Sequence, residues 1–63
     1  MTRLKYVHWK DGDAFLGYLE EYPDYWTQGD SLEELKENLI DLFRDIASGD
    51  IPGIRHVDEL VVQ

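Results

Sequence analysis

The sequence has no cysteine among its 63 residues, which excludes both a disulfide framework and a thiolate metal site. Basic residues are also scarce. Six Lys and Arg stand against fourteen Asp and Glu, a net charge of −8, whereas a nucleic-acid-binding surface must neutralise phosphates with Lys and Arg. Direct binding of DNA or RNA by this chain is therefore not expected. No apolar run approaches the roughly 20 residues that span a bilayer, and the N-terminal MTRLKYVHWK alternates where a secretion signal would carry an apolar core. These absences predict a cytoplasmic protein without a membrane attachment. Only two histidines occur, His8 and His56, with no HxH, HxxxH or HExxH spacing around either, so no metal site or catalytic base is expected from them.

The acids that are present are unevenly placed. Residues 11 to 50 hold twelve of the fourteen, with only Lys36 and Arg44 against them, a local net of −10, while the flanking segments together carry +2. An electrostatic partner of the central segment should accordingly be basic. At this length the chain is expected to be one domain, residues 1–63, near the lower limit for folding alone.

The most periodic stretch is Ser31 to Ser48. At about 100° per residue, Leu32, Leu35, Leu39, Leu42, Phe43 and Ile46 share one helix face, Ile40 and Ala47 lie along its edge, and Lys36 intrudes. Ser31 with Glu34 three residues on has capping-box spacing, and Gly49 stands where a left-handed C-terminal cap belongs. Upstream, residues 3 to 9 read as a strand and Asp13 to Glu20 as a second, with Asp11-Gly12 as a type I′ turn pairing Lys10 with Asp13. Pro23-Asp24 ends the second strand, Tyr25 to Thr27 form a short third, and Arg55 to Val62 has the β-branched content of a last one. The expected order is β-β-β-α-β. Strands not interleaved with helices define an α+β fold with a mostly antiparallel sheet and one helix packed on one face.

The hairpin closed by Asp-Gly, the Pro-containing turn, and Thr27-Gln28-Gly29-Asp30-Ser31-Leu32-Glu33-Glu34-Leu35 running into a helix resemble the HicB family of antitoxins over essentially the whole chain. The P-D-x-P-G turn of that family is here Glu20-Glu21-Tyr22-Pro23-Asp24, with one proline kept and the glycine lost. The resemblance implies a partial ribonuclease-H-like fold that binds a small, basic, mRNA-cleaving toxin of the HicA type and blocks it by occlusion. The chain reads as a short member without the C-terminal DNA-binding module found in most of the family.

Two surfaces emerge as candidates. Glu33, Glu37, Asp41 and Asp45 form an i, i+4 row on the polar side of the helix, either a solvated face or a docking surface for a basic protein. Strand alternation separates Leu4, Tyr6, His8, Phe15, Gly17 and Leu19 from Val7, Trp9, Leu16 and Tyr18. Because Gly17 would let a helix approach, the first set is assigned to the helix side and the second to an uncovered apolar face, expected to be buried in a homodimer. The alternative is that the C-terminal strand or a loop covers that face. Asp11 and Asp13 evoke the carboxylates of a ribonuclease-H-like metal site, yet a hairpin turn favours Asp for backbone reasons alone, and Asp58 and Glu59, as strand neighbours, would point to opposite faces. No catalytic, cofactor-binding or metal-ligating residue is assigned. The readings left standing are an antitoxin-type inhibitor, an orphan dimeric regulator of the same fold, and, last, a small nuclease.

Overall fold

The computed structural model describes residues 3–49 and 51–63. Three strands, β1 (Tyr6–Asp11), β2 (Ala14–Leu19) and β3 (Trp26–Gly29), form one antiparallel sheet in the order β1-β2-β3, and α1 (Leu32–Ser48) comes after them. The fold is α+β, with the helix laid across one face of the sheet.

The first hairpin closes one residue later than the Asp-Gly pair suggests. Asp11 pairs with Ala14, so Gly12 and Asp13 are the two turn residues. Gly12 has φ +62° while no described non-glycine residue adopts positive φ, which defines a type II′ turn; a type I′ turn at Asp11-Gly12 would have required positive φ at Asp11 as well. The pairing consequently moves by two residues, with Trp9 opposite Leu16 and Tyr6 opposite Leu19. A shift of one would have inverted both faces, but a shift of two preserves them.

Between β2 and β3 the chain makes two successive turns, with Tyr22 N–H donating to Leu19 O (2.9 Å) and Tyr25 N–H to Tyr22 O (3.1 Å). Pro23 occupies the second position of the latter, where its fixed φ is favourable. β3 then runs from Trp26 to Gly29, further along than Tyr25 to Thr27.

The helix begins and ends where its capping residues stand. Ser31, in extended conformation, accepts a hydrogen bond from Glu34 N–H (3.1 Å), and Gly49 at φ +78° donates to Ile46 O (3.2 Å). Glu34 reaches back to Asp30 N–H (3.3 Å), one residue before the expected recipient of a capping box. Replacing Ser31 with alanine should cost about 1 kcal/mol, read as a shift in the chemical denaturation midpoint.

Leu35, Leu39 and Leu19 form the buried centre, with Leu4, Tyr6, Phe15, Tyr22, Leu32 and Phe43 half-buried around it, and Ile46 is buried further along the helix. Two glycines set how closely helix and sheet approach. A Cβ on Gly17 would sit 3.1 Å from Leu35 Cδ2, and one on Gly29 would sit 2.6 Å from the backbone nitrogen of Leu35. α1 is thereby seated over β2 and β3 and does not extend over β1. The Asn38 amide ties it further to β3 by donating to Gln28 O (2.6 Å).

The last expected strand is absent among the described residues: 54–63 have no regular secondary structure. β-branched residues fit a pleated, half-buried surface and do not by themselves make a strand. Here the start of the segment is held on the β2–β3 turn instead of a sheet edge, through Tyr25 Oη to Gly53 O (3.5 Å) and Arg55 Nη1 to Asp24 Oδ2 (2.9 Å).

Candidate interaction surfaces

The sheet face turned away from the helix gathers the four residues assigned to it. Val7 stands opposite Tyr18, and Trp9 opposite Leu16. β3 adds Trp26 beside Tyr18 and Gln28 beside Leu16. The three aromatic rings form one cluster: Trp9 and Trp26 meet edge to face at 5.1 Å, Tyr18 and Trp26 stack at 6.0 Å, and Trp9 approaches Tyr18 at 6.1 Å. Pairs of this geometry contribute about 0.5–1.5 kcal/mol each beyond area burial, so part of the cluster's value lies in holding the three strands together. It nevertheless leaves Trp26 61% and Val7 38% exposed. The Trp26 indole is fixed by donating to Pro23 O (2.8 Å), so its exposed ring is a pre-positioned surface element. Strand alternation within the first hairpin does not reveal Trp26, because its place on this face depends on the β2–β3 register.

The C-terminal segment does not close over the aromatic cluster. Its contacts run to the β2–β3 turn, where His56 lies edge-on to Tyr22 at 5.8 Å and Arg55 pairs with Asp24. That carboxylate's hydrogen bond and charge hold the Arg55 guanidinium above its usual pKa.

Glu33, Glu37, Asp41 and Asp45 are all exposed along α1. Each i, i+4 step between like charges costs about 0.2–0.5 kcal/mol. Relief is slight: Arg44 approaches Asp41 at 3.5 Å with both side chains about 70% exposed, a geometry that stabilises little, and Lys36 makes no ion pair among the described residues. The last turn has no basic residue, so Asp45 sits near the negative end of the helix dipole uncompensated.

The remaining titratable groups are dispersed. His8 is exposed on β1, with its ring 5.0 Å from that of Tyr6. Asp11 and Asp13 are exposed at the hairpin tip, and Asp58 and Glu59 are exposed in the C-terminal segment. Among the described residues no three His, Asp or Glu side chains come together in a way that could hold a metal ion, and no helix is long and apolar enough to cross a membrane. Two broad exposed faces remain, one apolar and aromatic around Trp26, the other acidic along α1. No family model, curated protein or solved structure matches the chain.

Proposed function

We propose that this protein is a protein-binding module of the antitoxin type, which uses its acidic helix face to dock on a small basic partner and occludes the partner's active surface. The observation that carries the docking reading is the exposed acidic row Glu33, Glu37, Asp41 and Asp45 on α1, and the aromatic face marks a second surface built for contact. A folded domain that holds a tryptophan 61% exposed, with its indole hydrogen-bonded in place and two further aromatic rings against it, has the anchor residues of an interface. The acidic row sets the sign of the partner, since its electrostatic cost to the isolated helix is offset only when cations approach it. The HicB resemblance of Thr27 to Leu35 supplies the class of that partner, an mRNA-cleaving toxin of the HicA type. On this reading the chain works in the cytoplasm, performs no catalysis, uses no cofactor and leaves nucleic acid to its partner.

The aromatic face serves self-association on the same reading, with Val7, Trp9, Leu16 and Tyr18, now joined by Trp26, buried between two copies. Trp9→Glu should then give a folded monomer, measured as mass in solution with far-UV circular dichroism as the control for folding. A dimer of unchanged affinity would remove this face from the interface.

Association with the basic partner should be steered by residues of the helix. Its on-rate should fall as salt rises, because screening shortens the reach of the acidic face to about 8 Å at physiological ionic strength. The double substitution Glu37→Lys and Asp41→Lys should slow association while leaving the helix content unchanged. Stopped-flow rates indifferent to both salt and charge reversal would reduce the row to a solubility feature.

A further inference from the structure

The helix covers β2 and β3 but not β1, and a groove of about 250 Å³ remains beside β1, lined by Leu4, Tyr6, Leu19, Lys36, Leu39 and Ile40. The adjacent edge of the sheet is open. Lys5 O accepts from Glu20 N–H (2.9 Å), and antiparallel pairing alternates, so the backbone groups of Tyr6, His8 and Lys10 face away from β2 and have no strand to pair with among the described residues. An apolar groove at the start of an unpaired strand offers a seat for side chains, and the strand's free backbone groups offer the hydrogen bonds, for one further strand.

The chain itself contains a segment of matching chemistry that makes no use of it. Leu60, Val61 and Val62 are 89%, 82% and 84% exposed and Val57 is 57% exposed, although β-branched and apolar residues in succession are the composition of a buried strand. Residues up to His56 are fastened to the β2–β3 turn by the Arg55–Asp24 pair and the Tyr22–His56 contact. Val57 and Asp58 still line a hollow with Glu21 and Tyr22, and beyond them the chain projects from the domain. The radius of gyration is 13.1 Å and the longest dimension 45 Å, against a radius of about 11 Å for a compact chain of this length. Charge is complementary too. Lys10 lies on β1, Arg3 and Lys5 lead into it and Lys36 lines the groove, four of the six basic residues, while the C-terminal segment carries Asp58 and Glu59.

We infer that residues 57–62 are an exchange arm, which adds as a strand to the β1 edge of a second copy of this chain and places the alternate side chains Leu60 and Val62 in that copy's groove. A second copy is the occupant because the arm's own domain leaves its apolar side chains in water, while the groove and the arm are both present on every copy. A two-fold pair therefore forms the contact twice, reciprocally. The arm adds a second contact to the dimer proposed for the aromatic face, and the inference rests on that dimer reading.

The test uses the full chain and two variants. Leu60→Asp with Val62→Asp disables the arm at positions so exposed that the isolated domain should be unaffected. Ile40→Asp, at a residue 48% exposed, disables the groove. Sedimentation should show a dimer for the native chain and dimerisation weakened by roughly tenfold or more in each variant, with unchanged circular dichroism. An equimolar mixture of the two variants should recover a heterodimer, since one intact arm meets one intact groove. A native chain that is monomeric throughout overturns the inference and the dimer reading together. An arm variant that dimerises like the native chain, or a mixture with no recovery, overturns the exchange arm alone.

Discussion

Replacing Gly29 with alanine is expected to destabilise the domain by about 3 kcal/mol or more, the upper end of what overpacking costs. The new Cβ would lie 2.6 Å from Leu35 N and 3.0 Å from the Glu34 carbonyl carbon. Both are backbone atoms of the first helical turn, so no side-chain rotation relieves the clash. Either the helix lifts off β3 or β3 bends away from it. A chain of this length has roughly 3–9 kcal/mol of total stability, so the variant should be largely unfolded at moderate denaturant or near 37 °C. Gly12→Ala is the comparison, since a Cβ there meets nothing within 4 Å and the penalty is confined to a backbone at φ +62°. A Gly29→Ala denaturation midpoint equal to that of the native chain would mean that helix and sheet are not this close.

Leu35→Ala should be as damaging, at about 2–5 kcal/mol. Leu35 is the one large side chain that is fully buried, at 0% exposure among the described residues, and it occupies the hollow left by Gly17. Leu39→Ala, at 3% exposure, should rank just below it, and Phe43→Ala, half-buried at the margin of the cluster, should cost less. Ile40→Ala should change stability by about 1 kcal/mol or less, since its side chain is already half in water. Thermal melts of the four variants order them directly. Similar small effects from all four would contradict the orientation of the helix.

Much of this arrangement was legible from residue spacing. The helix face, its Ser31 and Gly49 caps, the α+β class and the division of the hairpin into two faces all derive from local periodicity and capping chemistry. The side of the sheet that receives the helix was readable from Gly17 alone. The turn type was not, because Asp11-Gly12 and Gly12-Asp13 are both acceptable two-residue loops and only the sign of φ at the flanking aspartates separates them. The place of Trp26 beside Tyr18 likewise required the β2–β3 register. The expected strand over Arg55 to Val62 failed for a different reason. Its composition is that of a strand, but a strand exists only where an edge pairs with it, and this segment is tethered by Arg55 to the β2–β3 turn. The acidic row was visible in the sequence as a pattern, and its exposure and want of cations became visible only in three dimensions.

Docking on a basic partner, as proposed above, is tested most directly by inhibition of that partner's activity. Titrating the native chain into a purified basic toxin of the HicA type, the class of partner proposed above, with cleavage of RNA as the readout, should abolish cleavage at a fixed molar ratio. The Glu37→Lys, Asp41→Lys variant should require a large excess to do the same, and raised salt should have a similar effect on the native chain. Cleavage that continues undiminished at saturating native chain, or that is suppressed equally by the charge-reversed variant, would contradict the account.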